Sequence, residues 1–213
     1  MGIVYRGDKV EVVKASKTVD VAGELNFLAL GDMCYTMLGT HDDNKIRSYM
    51  QSLFEMPGNR FSYDYSYVLM DDQKVMGMMT CLPVKVLNRA TLNTIKDIIK
   101  LRKLSALKII VKHPKSLLAL MRMREGKENE YHISMIATFP EFQGKGVAKR
   151  LIAHAEEMSI AEGFNKLSLT VVKQNEAAFQ LYKKLDFNVV GTIDDNALHL
   201  YRMRKLLTVN RED

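Results

Sequence analysis

Six residues, Gln143-Gly144-Lys145-Gly146-Val147-Ala148, constrain the fold more than any other stretch. A strand-like run, Tyr131 to Thr138, precedes them, and a helix-like run, Val147 to Met158, follows. A glycine-rich turn between a strand and a helix N-terminus is a place to hold a phosphate. The glycines let the backbone come close, the first-turn N–H groups have no partner inside the helix, and the helix dipole favours negative charge. Lys145 adds a cation at the same spot. A glycine pair before a helix is also simply a tight turn, so its surroundings decide which reading holds.

Those surroundings are well patterned. Tyr131, Ile133, Met135 and Ala137 alternate with His132, Ser134, Ile136 and Thr138, which predicts a strand. Val147, Leu151, Ala155 and Met158 form a helical stripe, with Gly163 as its C-cap. Lys166 to Val172 reads as a strand. Asn175 is an N-cap for a short helix through Leu185, and Phe187 to Ile193 and Leu198 to Met203 read as closing strands. Upstream, Lys9 to Val13 suggests an opening strand. Thr18 to Leu30 and Asp42 to Phe54 suggest two helices, the second ended by Pro57-Gly58-Asn59. Phe61, Tyr63, Tyr65, Tyr67 and Leu69 predict a strand with one aromatic face. Val75 to Leu82 returns from it as a hairpin partner.

The order and spacing of these signals resembles the GNAT superfamily of acetyl-CoA-dependent N-acetyltransferases. The motif stretches carrying it are Thr138-Phe139-Pro140-Glu141-Phe142-Gln143-Gly144-Lys145-Gly146, then Asn175-Glu176-Ala177-Ala178 with Tyr182, then Leu185-Asp186-Phe187. It is close over Tyr131 to Arg204, about a third of the chain; the first 85 residues agree only in element order. The resemblance implies an α/β (α+β) fold with a mixed, mostly antiparallel central sheet flanked by helices, in a single domain spanning 1–213. Two strands would splay into a V that holds acetyl-CoA, the implied cofactor. Its pantetheine would pair with main chain at Ile136, Ala137 and Thr138. Its pyrophosphate would sit on Gln143, Gly144, Lys145, Gly146, Val147 and Ala148. Asn175 and Ala178 would touch the cofactor arm, and Tyr182 would be the acid near the sulfur. Asp186 replaces the glycine usual before Phe187, a change a left-handed bend tolerates in Asp. Thr170 stands where some members carry a glutamate base.

The chemistry of acyl transfer to an amine agrees with this set. It needs a neutral amine, a polarised thioester carbonyl and a proton for the leaving thiolate. A phenol suits the last, and strand N–H groups suit the second. Glu130 and His132, opening the strand before the turn, are the candidate bases; a solvated glutamate and a sheet-face histidine are the plainer reading of the pair. The expected activity is acetyl transfer to a primary amine of a small molecule or protein in a ternary complex. The alternative is a non-catalytic acyl-CoA-binding or anionic-partner docking module on the same fold.

Charge bears on that alternative. Lys85 to Lys127 holds twelve basic residues and two acidic, a local +10 in a chain of net +6. Residues 86–127 read as a helical insertion between the third and fourth strands, broken at His113-Pro114, with Ser116 capping a second helix. A lid over the acceptor site or a homodimer face suits its apolar stripe. A contact with an acidic acceptor, RNA or an anionic membrane would use its basic side. Cys34 and Cys81 are far apart, lack metal-ligand spacing, and read as buried reduced thiols; no metal is expected. With no apolar run near 18 residues and no signal-peptide core at the N-terminus, a cytoplasmic location is expected.

Overall fold

The computed structural model describes residues 10–103, 125–195 and 198–208. Seven strands form one sheet: β1 (Val10–Lys14), β2 (Ser66–Asp71), β3 (Lys74–Pro83), β4 (Tyr131–Thr138), β5 (Lys166–Val172), β6 (Asn188–Asp195) and β7 (Leu198–Leu206). Their order is β1-β2-β3-β4-β5-β7-β6. Every neighbour pair is antiparallel except β4–β5. This is the mixed, mostly antiparallel sheet the resemblance implies.

Helices cover both faces. On one side lie α1 (Ala22–Leu30), α2 (Met33–Leu38) and α3 (Asp43–Glu55). Asp42 caps α3 by accepting from the Lys45 amide, and Ile46, Met50 and Leu53 are buried on one stripe. Gly23 lets α1 approach α3; a Cβ there would stand 2.3 Å from the Arg47 carbonyl oxygen. On the other side lies α5 (Val147–Ala161), whose Leu151, Ile152 and Ala155 pack on Leu69, Met79 and Leu167. Between β3 and β4 comes α4 (Val84–Arg102), the first part of the expected insertion. The expected second helix, capped at Ser116, lies outside the described residues. The last helix is α6 (Glu176–Lys184), with Asn175 accepting from the Ala178 amide at 3.1 Å.

Three expectations need correction. The helix foreseen from Thr18 begins only at Ala22, and α2 was not foreseen at all. The aromatic strand beginning at Phe61 does not form: Tyr63–Tyr65 is a 3₁₀ turn and β2 starts at Ser66. Ser62 drives that turn by accepting from the Asp64 amide, a local bond that competes with an extended chain. Finally, β4 forms over the expected residues, but its alternation is interrupted. The register with β3 slips so that Thr80 faces Met135 while Cys81 faces Ile133, leaving Ser134 as the extra residue of a bulge. Tyr131 and Ile133 therefore face α5, whereas Met135 packs with α1–α3. A bulge shifts the alternation by one, which a period-two pattern cannot reveal.

Candidate active site

β4 and β5 pair only at Tyr131–Leu167, His132–Ser168 and Ile133–Leu169. Beyond those positions the strands part, and the β5-facing edge of β4 from Ser134 to Thr138 has no strand beside it. A cleft of about 170 Å³ opens there. One wall includes Ile136, Thr170, Val171, Asn175, Ala178 and Tyr182. The opposite wall comes from α1–α2 and the loop before β2, with Leu30, Met33, Met37, Arg60 and Phe61. Glu125 and Ser134 complete the lining between them. Ala137 and Thr138 do not line this cleft but continue the same unpaired edge.

The glycine turn stands beyond the end of β4. Gly144 and Gly146 have φ of 75° and 81°, the left-handed region, and open space lies where their side chains would be. The amides of Gly144, Gly146, Val147 and Ala148 have no protein acceptor among the described residues. Gln143 and Lys145 differ: their amides donate to the Pro140 and Phe142 carbonyls, at 3.2 and 3.3 Å. The turn's own geometry uses those two groups. The Lys145 ammonium lies over the Phe142 ring at 5.3 Å. Val147 anchors the helix start against Gly77 of β3, where a Cβ would stand 2.8 Å from its Cγ1. Four free amides at a helix N-terminus, beside a lysine, fit a pyrophosphate.

Tyr182 projects from α6 into the base of the cleft, with its ring tilted against Phe187 at 6.0 Å. Its hydroxyl has no protein hydrogen bond among the described residues, and burial pushes its pKa up to about 12. Asn175 spends its oxygen on the α6 cap, leaving its amide N–H groups for a ligand. The two cysteines sit apart from the cleft; both are buried, and burial pushes both thiols up to about 12. Thiols held protonated are poor nucleophiles.

Glu130 and His132 lie at the other, paired end of the β4–β5 seam. Glu130 is 2% exposed, ion-paired with Arg204, and accepts from the Lys127 amide at 3.0 Å. His132 is wholly buried; its Nδ1 lies 3.0 Å from Ser168 Oγ and its Nε2 3.4 Å from Glu125 Oε2. Neither candidate base lines the cleft, so the structure does not bring them together with Tyr182.

What connects them to it is a pair the sequence reading passed over. Arg60 holds Glu125 with both terminal guanidinium nitrogens, at 2.9 and 3.1 Å, and donates to Ser134 at 2.8 Å. Burial acts to raise the Glu125 pKa, but the Arg60 and His132 contacts outweigh it and bring it down to about 2. Asn59 shapes the loop that presents Arg60, donating to the Leu53 carbonyl and accepting from the Phe61 amide. Thr94 of α4 takes the Arg60 amide at 3.0 Å, so the inserted helix braces this loop. One signal was available. Glu125 and Asp97 are the only acids in a run of twelve basic residues, and an isolated acid beside a strand start invites the question of its partner.

Comparison with known proteins bears on the family and the fold. A model of the acetyltransferase (GNAT) family matches residues 33–187. An acetyltransferase of Yersinia enterocolitica is 38% identical over 58 residues, and one of Pectobacterium atrosepticum 36% over 58 residues. Each match takes in 27% of this chain and 41% of the relative, so the chain spans well under half the length of these curated relatives. The fold is similar to that of an N-acetyltransferase from Staphylococcus aureus Mu50. That match has a TM-score of 0.68 at 20% identity and covers 92% of this chain and 100% of that one. PaiA N-acetyltransferase from Thermoplasma acidophilum, solved in complex with coenzyme A, aligns with a TM-score of 0.50 at 15% identity. It covers 93% of this chain and 99% of that one.

Proposed function

The chain belongs to the acetyltransferase (GNAT) family, and on that premise we propose that it moves the acetyl group of acetyl-CoA to a primary amine by direct transfer in a ternary complex. One observation carries the reading. β4 leaves β5 after three residue pairs, and the gap opens between an unpaired strand edge, a free phenol and a glycine turn with four free amides. The residues that would hold the donor are the main chain from Ile136 to Thr138, the amides of Gly144, Gly146, Val147 and Ala148, and the Asn175 amide. Bound there, acetyl-CoA supplies an activated acyl group and a thiolate leaving group.

This chain's own groups do the rest. The edge of β4 offers N–H groups where an oxyanion would form. Tyr182 keeps a proton on its hydroxyl through the working pH range, because burial has raised its pKa. Neither cysteine borders the cleft, which supports transfer without a covalent enzyme intermediate. Of the two candidate bases, Glu130 is committed to Arg204 and the Lys127 amide, and His132 keeps a ring nitrogen towards Glu125 of the cleft wall.

The test is a thermal melt with and without acetyl-CoA, followed by thiol release with a panel of amines. Ligand at ~100 times its Kd adds about 2.7 kcal/mol, which for a chain of this size is roughly 5–10 °C. A folded protein whose melt ignores acetyl-CoA would end the reading.

A further inference from the structure

A second concavity lies away from the cleft, along the first half of α4. It is a groove of about 300 Å³. One wall is the helix face carrying Lys85, Val86, Arg89, Ala90 and Asn93, about 12 Å of helix. The other wall is Gly58 with Tyr65, from the loop before β2. Asn93 donates to the Gly58 carbonyl at 2.9 Å, and the Gly58 amide donates to Asp64 at 2.8 Å. The two walls are therefore tied together and the groove is preformed. Its floor is apolar: Tyr65 and Val86 pack on the buried cluster of Leu82, Leu87 and Ala90.

The charges of this groove are unmatched. Lys85 and Arg89 stand one helical turn apart, and neither has a hydrogen bond or ion pair among the described residues. The one acid of α4, Asp97, accepts from Asn59, and the one acid of the loop, Asp64, accepts from the Gly58 amide. The chain between Lys103 and Glu125 holds no Asp or Glu, so it supplies no counter-charge. Lys85 also occupies the first turn of α4, where the helix dipole disfavours a cation. The Tyr65 hydroxyl is a further donor without a partner among the described residues. Burial and the Asp64 charge push its pKa up, against the opposing pull of Arg89, so it keeps its proton.

We propose that this groove is a second ligand site, for a small phosphate monoester on an apolar or aromatic body. Such an ester carries nearly two negative charges at neutral pH and matches two cations, where a carboxylate brings only one. Arg89 offers a planar fork for two phosphate oxygens, Lys85 a point charge and Tyr65 a hydroxyl. The body of the ligand lies on Val86, Ala90 and the Tyr65 ring. The groove has the size of a small-molecule pocket. It shares no lining residue with the cleft, so the proposal goes beyond the acetyl-transfer reading and does not depend on it.

The test titrates the whole protein with phenyl phosphate, following backbone amides by NMR and affinity by calorimetry. The amides of Gly58, Tyr65, Val86 and Arg89 should move and saturate. Inorganic phosphate lacks the ring and benzoate lacks the second charge; each should bind at least about tenfold more weakly. Lys85→Gln/Arg89→Gln should lose those shifts and at least about tenfold in affinity. It should melt no lower than the unaltered protein, since neither side chain has a partner to lose. Lys96→Gln/Lys100→Gln makes the same charge change further along α4, outside the groove, and should bind as before. Shifts confined to the Gly144–Ala148 amides would place the phosphate at the glycine turn and overturn the proposal. Undiminished affinity or a lower melt in the Lys85 and Arg89 variant would also overturn it. So would an equal loss in the Lys96 and Lys100 variant, or either comparison ligand binding as tightly as phenyl phosphate.

Discussion

The two ends of β4 are built from opposite materials. At the end paired to β5, side chains carry the load: Arg60 pairs with Glu125 and Arg204 with Glu130, in or against the sheet, with the His132 ring beside Glu125. At the end that leaves β5, the main chain carries it: an unpaired strand edge, then a turn of free amides, bordered by apolar side chains and one phenol. The Ser134 bulge divides them, and Arg60 touches both sides of the division. Buried side-chain charge is costly unless every member is satisfied. Free backbone groups cost little where water or a ligand reaches them. The closed end is therefore committed to one arrangement, while the open end is kept ready for a ligand.

Breaking the closed end should have the largest effect. Glu125→Gln leaves the Arg60 guanidinium buried without its counter-charge, and such losses run about 3–5 kcal/mol. Urea unfolding should show it, and Arg60→Met added to Glu125→Gln should recover more than half. If the single and double variants are equally unstable, the pair is not a unit. Acid tests the same carboxylate in the unaltered protein. The folded pKa of Glu125 is lowered from 4.5 to about 2, so the ionised group stabilises the fold fully above pH 4.5. That contribution, about 3 kcal/mol, is lost as pH falls from there through 2. Unfolding followed across that window should lose its steepest part in the double variant.

Perturbing the open end should leave stability largely alone and change function. Tyr182→Phe keeps the ring against Phe187 and removes only the hydroxyl. Loss of a general acid lowers kcat by about 10² or more, with the acetyl-CoA melting shift unchanged. Unaltered turnover would make the tyrosine a packing residue. Gly146→Ala is smaller: at φ 81° a side chain costs about 1–2 kcal/mol, and the acetyl-CoA shift should shrink because the turn must move. Smallest is Asp186→Ala, at φ 67° in the turn after α6 and outside the cleft lining. It should cost no more than about 1 kcal/mol and leave kcat/KM as it was.

The open end was the legible one. Its glycines, its cap at Asn175 and its tyrosine sit at fixed offsets, because a turn and a short helix are local objects. Asp186 was also readable, as the rare non-glycine that accepts a left-handed bend. The bounds of β4 and β5 were foreseen to the residue. The closed end was opaque for the opposite reason. Arg60 and Glu125 are 65 positions apart, and nothing local in either says that they meet. Glu130 and His132 were singled out for opening the strand before the turn, where relatives carry a base, yet in this chain both are buried at the paired end and neither lines the cleft. The bulge at Ser134 hid in a pattern that alternated well on paper. The strand expected from Phe61 failed because Ser62, Asn59 and Asp64 satisfy the backbone locally.

Three residue pairs are the whole of the main-chain ladder joining a four-stranded antiparallel sheet, β1 to β4, to a three-stranded one, β5 to β7. So short a ladder should open locally at a cost below global unfolding, and its amides should be the first of the central strands to exchange with deuterium. A ligand lying along β4 would lengthen that ladder from the open end. Protection of the Tyr131, His132, Leu167 and Ser168 amides, which belong to the seam and not to the cleft lining, should then rise when the cleft fills. The seam reports occupancy of its neighbour in the rate at which its hydrogens are lost.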